Sequence, residues 1–442
     1  MKKVGFISLG CPKNQVDTEV MLKMLIEGGW EVTPEDIEAD VIIVNTCGFI
    51  ESAKQESIDA ILDVAWLKKH RKLRGIVVCG CLAERYREQI LKELPEVDAV
   101  LGIGSMAKIC EAADAAYDKK KYTSFGPKEM MPMGGERLLT TPEYTAYLKI
   151  AEGCDNRCAY CAIPGIRGNF RSRTIEDLVS EAKDLEKLGV KELNIVAQDT
   201  SRYGLDIYGR YALADLVKAI TKETQIPWIR LMYCYPDKIT DELCEEFRTN
   251  DRLVKYIDLP IQHISDPVLD RMNRHGGSEV IRDAIKRLRR ACPEISIRTT
   301  VMVGFPGETE EDVRKLCEFV KEAQFDHLGA FTFCPEEDTP AFDMEAQIDE
   351  QEKQDRYDLV MNEQMEISLK LQEKKIGKVL TVLVEGFDAV SETFYARSAD
   401  NAPDIDGKVY FTADKRLKEG QFVKVRIKEA MDYDLVGTLV AE

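Results

Sequence analysis

Short apolar runs alternate with helical patterns through the first third of the chain. Lys3–Leu9 reads as a strand and Val16–Glu27 as a helix, then Val41–Asn45 as a strand and Glu51–Lys69 as a helix. Gly75–Val78 and Asp98–Leu101 read as two more strands, with helices over Ala83–Leu94 and from Ser105. Strand–helix alternation with short links predicts a doubly wound parallel sheet for residues 1–138. Residues 119–143 carry Lys119-Lys120-Lys121, Gly126-Pro127, Pro132, Gly134-Gly135 and Pro142, the composition of a linker.

A second block, residues 139–373, has strand patterns at Tyr144–Ile150, Glu192–Val196, Trp228–Met232, Tyr256–Leu259, Ser296–Val303 and His327–Phe333. Helical patterns such as Ile175–Leu188 and Glu310–Ala323 lie between them. Six β/α units predict a partial (β/α)6 barrel, whose functional groups belong at the C-terminal ends of the strands. Glu350–Lys375 is a long, highly charged helical pattern, read as a solvated connecting helix. Residues 374–442 alternate in five short runs, Val379–Val384, Phe394–Ser398, Lys408–Phe411, Val423–Ile427 and Leu435–Val440. They predict a small antiparallel β-barrel of the OB-like kind. The fold class is therefore α/β with an appended all-β module.

Composition sharpens this picture in three ways. Hydrophobic residues make up 44% of the 442 positions and charged residues 32%, the balance of a soluble globular protein. The apolar stretch after Met1-Lys2-Lys3 ends at Leu9 and is too short for a signal-peptide core, and no run has membrane-spanning length. A cytoplasmic protein without membrane attachment is expected. The formal charge of −18 disfavours bare nucleic acid and suits a basic protein partner. Thirteen cysteines beside only four histidines, in a reducing compartment, point to thiolate–metal or catalytic chemistry rather than disulfides or a His-rich zinc site.

Two groups of cysteines carry a pattern. Cys154, Cys158 and Cys161 follow the first strand of the second block in C-x3-C-x2-C spacing. Three thiolates in eight residues hold three corners of a four-iron cubane and leave the fourth iron open, a catalytic arrangement. A zinc knuckle would need a fourth Cys or His nearby, and several dozen residues hold none. The second group emerges when Val4–Cys11, Asp40–Cys47 and Arg74–Cys81 are set above one another without gaps. Cys11, Cys47 and Cys81 then share one column just past the strand ends, the edge where doubly wound sheets bind ligands. Three thiolates there suit a second 4Fe-4S cluster; three buried core cysteines are the plainer alternative. Cys79, two residues earlier in the column of Asn45, reads as structural. Cys110, Cys234, Cys244, Cys292, Cys317 and Cys334 read as small core residues.

The C-x3-C-x2-C spacing, with Tyr160 before its last cysteine, resembles the signature of the radical S-adenosylmethionine superfamily. That resemblance implies S-adenosylmethionine chelated to the open iron and split reductively to a 5′-deoxyadenosyl radical. It places Tyr160 near the adenine, and Gln198 and Asp199 near the amino group of the cofactor. Gly304-Phe305-Pro306-Gly307-Glu308 resembles the superfamily's adenine-side turn, which makes Gly304 and Glu308 candidates. Arg298 is a candidate for the ribose or carboxylate, an ordinary salt bridge being the alternative.

Both cysteine trios and the terminal barrel make the whole chain resemble the methylthiotransferases. These join an N-terminal cluster domain (1–138 here), a radical core (139–373) and a TRAM domain (374–442). Leu9-Gly10-Cys11-Pro12-Lys13-Asn14, Arg230-Leu231-Met232-Tyr233, Tyr235-Pro236, Leu259-Pro260-Ile261-Gln262-His263-Ile264, Arg397-Ser398 and Ala402-Pro403-Asp404-Ile405-Asp406-Gly407 are similar to the RimO type. That branch modifies an aspartate β-carbon of the small-subunit ribosomal protein at the decoding centre. The transfer-RNA branch usually has Gln-Met where this chain has Pro12-Lys13, and Thr18 stands where serine is expected. Charge agrees: from Ile376 onward nine Lys/Arg face twelve Asp/Glu, a net of −3, which opposes RNA. The resemblance implies two 4Fe-4S clusters, S-adenosylmethionine, a basic ribosomal protein substrate (free or on the ribosome), an electron donor such as flavodoxin or ferredoxin, and a sulfur source. Arg167, Arg171 and Arg173, just after the cysteine loop, are candidates to grip the substrate carboxylate, with packing against the loop as the alternative. A transfer-RNA adenosine methylthiotransferase and a non-enzymatic iron–sulfur scaffold, RNA-binding or redox-sensing, are the competing functions.

Overall fold

The computed structural model describes residues 1–440. The first block is a six-stranded parallel sheet. Its strands are β1 (Lys3–Ser8), β2 (Glu31–Val32), β3 (Val41–Thr46), β4 (Gly75–Gly80), β5 (Ala99–Leu101) and β6 (Tyr122–Ser124), in the order β2-β1-β3-β4-β5-β6. Every residue of β3 and β4 is buried, as central strands covered on both faces must be, and their near-continuous apolar runs reflect it. The two edge strands escape the sequence pattern. β2 is only two residues long, and β6 lies inside the stretch expected to be linker. The single helix expected over Ala83–Leu94 is broken in two at Arg87, which has a φ of 45°.

The gapless alignment of strand ends needs one correction. β3 and β4 pair Val41 with Gly75, which sets Cys47 level with Cys81 as expected. β1 pairs Val4 with Val41 rather than with Asp40, so Gly10 is level with Cys47 and Cys11 stands one residue past that column. The expected clustering at one sheet edge is unaffected, because Cys11 already lies three residues beyond β1 at the cap of the helix Pro12–Glu27.

The second block contains β7 (Thr145–Lys149), β8 (Ala151–Glu152), β9 (Arg171–Ser172), β10 (Glu192–Val196), β11 (Trp228–Leu231), β12 (Leu253–Asp258), β13 (Ser296–Val303) and β14 (His327–Thr332). Six of them form a parallel sheet in the order β14-β13-β12-β11-β10-β7, the partial barrel expected from the six β/α units. β8 and β9 pair antiparallel and clasp the cysteine loop between them. The third block is a closed barrel of β15 (Val379–Asp388), β16 (Thr393–Ser398), β17 (Val409–Thr412), β18 (Phe422–Ala430) and β19 (Leu435–Leu439). All its pairings are antiparallel except β17–β19, which is parallel and closes the barrel. No helix among the described residues is long and apolar enough to cross a membrane.

The long helix Glu350–Glu373 is not the solvated connector its charge suggested. It lies against β14 and the helix Glu310–Ala323, burying Lys353, Arg356, Val360, Gln364, Ile367, Ser368 and Gln372. Five of those seven are polar, and they interrupt the apolar stripe of Tyr357, Val360, Met361, Ile367 and Leu371 that packs on the core. Their partners make the burial tolerable: Gln364 donates to the Phe325 carbonyl, Ser368 to that of Asp432, Gln372 to that of Tyr433, and Arg356 pairs with Glu308.

The C-terminal barrel is docked on the N-terminal half of the core strands. Glu192, at the start of β10 and fully buried, accepts from both Arg230 of β11 and Arg397 of β16, at 2.9 and 2.5 Å. Arg230 also donates to the Ala399 carbonyl, and Tyr256 to Asp406 at 2.7 Å. A buried apolar cluster joins all three blocks: Val16 of the first, Tyr147, Val196, Met232, Val254 and Tyr256 of the second, and Ala402 of the third.

Burial alone would raise the Glu192 carboxyl, but Arg397 and Arg230 outweigh it and hold it down at about 2. A depressed carboxyl stabilises the fold above its ordinary value of 4.5 and loses that contribution as pH falls toward 2. The pairing contributes about 3 kcal/mol at neutral pH. Glu192→Gln leaves the buried Arg230 without a carboxylate and Arg397 with Glu385 alone, so urea unfolding at pH 7 should show a loss of about 3–5 kcal/mol. The difference between variant and parent should shrink between pH 4.5 and pH 2.

Candidate functional site

Each of the three N-terminal cysteines follows a strand of the first sheet. Cys11 caps the helix after β1, Cys47 follows β3, and Cys81 opens the helix after β4. Two glycines permit this closeness. Gly10 has a φ of 87°, and a Cβ there would fall 2.8 Å from Cys47 Cβ and 3.0 Å from its sulfur. Gly80 has a φ of 92° and packs on Asn45 and Thr46. Cys81 is buried, while Cys11 and Cys47 are half-buried. The thiols sense one another: burial pushes Cys81 up to about 11 and raises Cys47, each with Cys11 adding to the rise. Burial opposes ionisation of Cys11 too, but Lys13 and Arg167 outweigh it and lower that thiol.

The second trio occupies the loop between β8 and the helix Ile163–Arg167. Gly153, at a φ of 77°, lets the loop start against the Asn169 carbonyl, and Cys154 N–H donates to the Gly168 carbonyl at 3.1 Å. Cys158 Sγ lies 3.7 Å from the Tyr235 hydroxyl and 3.8 Å from Arg274 Nη1. Burial raises Cys154, to about 11, and Cys161 further. A cavity of about 500 Å³ opens onto Cys158 and Cys161, and another of about 470 Å³ onto Cys11. The remaining cysteines are scattered: Cys79, Cys234, Cys244 and Cys292 are buried, while Cys110, Cys317 and Cys334 are half-buried.

The two trios are adjacent. Cys81 packs on Ala162 and Ile166, the continuation of the Cys161 loop. Beside them lies a fully buried ionic network. Arg167 donates to Asp17 at 3.0 Å, to both oxygens of Glu152 at 3.0 and 3.1 Å, and to Asn14 at 3.2 Å. Lys149 pairs with Asp17 and, at 3.0 Å, with Glu152. Glu152, which also accepts from Gln198 and the Gly153 amide, is held well below the usual carboxylate range by Arg167 and Lys149 against the cost of burial.

No group of three His, Cys, Asp or Glu side chains among the described residues is gathered tightly enough for a single metal ion. The fit therefore rests on donor character. Each trio is all-thiol and set in glycine-bent backbone, with cations alongside: Lys13 and Arg167 for the first, Arg274 for the second. Such sets fit thiolate-held iron–sulfur clusters and leave a corner of each cubane to another ligand.

The other expected site residues fall into distinct settings. Tyr160 meets the Phe305 ring edge-on at 6.5 Å. Gln198 keeps a buried amide oxygen without a partner in the chain. Asp199 is a loop anchor: it accepts from Asn156, inside the cysteine loop, at 2.7 Å and from Ser201 at 2.6 Å. Glu308 accepts from the Gly304 and Phe305 amides and pairs with Arg356, while burial raises its carboxyl to about 7. Arg298 takes the salt-bridge alternative, with Asp258 at 3.5 Å and Asp406 of the C-terminal block at 3.3 Å. The three arginines expected to grip a substrate carboxylate are engaged within the chain. Arg167 is buried as described, Arg171 donates to the carbonyls of Glu129 and Lys128, and Arg173 pairs with Asp177 and Glu181. Lys13, Tyr233, Tyr235 and Arg274 line the site without having been singled out. Tyr233 has a φ of 59°, a strained setting of the kind that gathers at functional sites and that sequence patterns do not reveal.

Three family models match in series. Residues 3–102 match the uncharacterized protein family UPF0004, residues 148–320 the radical SAM superfamily, and residues 376–440 the TRAM domain. The ribosomal protein uS12 methylthiotransferase RimO of Thermoanaerobacter sp. (strain X514) is 49% identical, covering 99% of this chain and 100% of its own. Its namesakes from Acetivibrio thermocellus and Geobacter sulfurreducens are 48% and 46% identical, each covering all of this chain and 99% of their own. Among solved structures, the radical S-adenosylmethionine methyltransferase TsrM from Kitasatospora setae overlays with a TM-score of 0.57 at 15% identity, covering 88% of this chain and 79% of that one. The cobalamin-dependent radical enzyme OxsB gives 0.51 at 13% identity, covering 83% and 56%. Both likenesses concern the fold.

Removing Arg167 tests the bridge between the blocks. Arg167→Met leaves Asp17 and Glu152 with Lys149 alone, so thermal unfolding should show a loss of about 3–5 kcal/mol. Limited proteolysis should then cut first within 119–143, between the first two blocks.

Proposed function

The chain belongs to the ribosomal protein uS12 methylthiotransferase RimO family, and from that premise we propose that it attaches a methylthio group to the β-carbon of an aspartate in uS12. It is a radical SAM enzyme that uses S-adenosylmethionine and two 4Fe-4S clusters. One observation carries the assignment of residues: Cys81 packs directly against the segment that continues the Cys161 loop. Cys154, Cys158 and Cys161 hold the cluster that binds S-adenosylmethionine, and Cys11, Cys47 and Cys81 hold the second.

When bound, these groups supply the electron, the cleavable sulfonium and the sulfur that an unactivated C–H bond demands. The chain's own residues arrange the encounter. Glu152, held ionised by Arg167 and Lys149, fixes the entry of the cysteine loop through the Gly153 amide. Asp199 holds the same loop through Asn156. Gln198 Oε1, buried and unpartnered within the chain, is ready to accept from an ammonium group of the cofactor. Tyr160 and the Gly304–Glu308 turn form an apolar wall suited to an adenine, and they keep water from the reacting centre.

An acidic C-terminal barrel on an acidic chain suits a basic ribosomal protein better than an RNA. A cytoplasmic setting, a flavodoxin or ferredoxin as reductant and an external sulfur source complete the reading.

Reconstituted anaerobically with reductant and sulfide, the enzyme should add the mass of one methylthio group to uS12 and leave transfer-RNA adenosine unchanged. Replacing Cys11, Cys47 or Cys81 by alanine should abolish that mass gain and preserve 5′-deoxyadenosine release. Replacing Cys154, Cys158 or Cys161 should abolish both. Modified adenosine without modified uS12, or 5′-deoxyadenosine release that survives loss of Cys158, would refute the proposal.

A further inference from the structure

The substrate aspartate brings a carboxylate into the core, and burying that charge requires a cation. Arg167, Arg171, Arg173 and Arg298 already have partners in the chain. The ionic network beside the cysteines is balanced, with Asp17 and Glu152 against Lys149 and Arg167. Two further buried cations form no ion pair among the described residues. Arg274 stacks on Tyr235, donates to the Pro260 carbonyl and faces Cys158, so it serves the second trio. Lys13 is the other. It is only 7% exposed, and its ammonium sits 3.6 Å from the centre of the Tyr233 ring.

Lys13 follows Cys11 by two residues, its ammonium lies over the Tyr233 ring, and its charge bears on both Cys11 and Asp258, at the end of β12. The Tyr233 amide donates to Asp258 at 3.0 Å, which holds the ring at the C-terminal end of β11, where the barrel opens. In aspartate the β-carbon is bonded directly to the carboxyl carbon. Any cation that holds the carboxylate must therefore stand within a few ångström of the sulfur to be transferred. Lys13, two residues from Cys11, is free to meet that requirement, whereas Arg274 is already engaged by the Pro260 carbonyl, the Tyr235 ring and Cys158.

We propose that Lys13 binds the carboxylate of the substrate aspartate and thereby selects an acidic side chain. The aromatic face of Tyr233 holds the ammonium in place until the substrate arrives. This inference rests on the uS12 reading above and names the residue that makes it specific.

The test compares uS12 with its Asp→Asn variant at the modified position, measuring the affinity of each for the cluster-loaded enzyme. The parent enzyme should prefer the aspartate form by on the order of 10–100-fold, the worth of a buried charge-assisted hydrogen bond. Lys13→Met, close in shape and apolar, should reduce that preference to about threefold or less. Lys13→Arg should restore most of it. Iron and sulfide counts accompany each variant. A Lys13→Met enzyme that keeps the parent's preference overturns the inference alone. Loss of half the iron and sulfide in both variants also overturns it, because Lys13 would then serve the thiolates of the first trio. A parent enzyme that adds no methylthio group to uS12 overturns the functional reading and this inference together.

Discussion

Four buried charges hold the catalytic arrangement together. Asp17 comes from the first block, and Lys149, Glu152 and Arg167 from the second. None survives burial alone, since an unpaired ion in such a place costs several kcal/mol. Each block therefore supplies the counter-charge the other needs, and a small displacement between them would leave uncompensated ions. Hydrophobic contact between two domains tolerates sliding; this arrangement does not. That rigidity suits chemistry in which two clusters must meet one carbon atom in turn.

The architecture was largely legible because buried parallel strands write themselves as uninterrupted apolar runs. Val41–Thr46 and Gly75–Gly80 are the clearest cases, and the strand-end cysteines could be aligned from them. The misplacement of β1 by one residue followed from the same logic. Hydrophobic pattern says where a strand lies, but the uninterrupted apolar run Val41–Val44 offers no alternation that would fix its register against β1. The long helix Glu350–Glu373 failed for the opposite reason. Its buried face mixes apolar residues with buried polar ones, and partners in distant segments satisfy the polar ones.

The site was legible where chemistry demands a residue type and illegible where geometry chooses among equals. Cysteine spacing points to one cluster, and the shared position of three cysteines past strand ends points to the other. Arginines offered no such signal: Arg167, Arg171, Arg173 and Arg298 look alike in sequence, yet the fold assigns each a different partner within the chain. Lys13 follows Cys11 and Pro12 in the sequence. Nothing local distinguishes a lysine that ends against an aromatic ring from one that ends in water.

The segment Ala399–Asp406 reaches into the core from the last-made part of the chain, supplying Ala402 to the shared apolar cluster and Asp406 to Tyr256. During synthesis, Glu192, Arg230 and His327 leave the ribosome long before the groups that complete their hydrogen bonds. The barrel interior therefore matures only once translation is nearly finished. A chain that stops before Arg397 leaves Glu192 and His327 without the partners that the C-terminal block supplies.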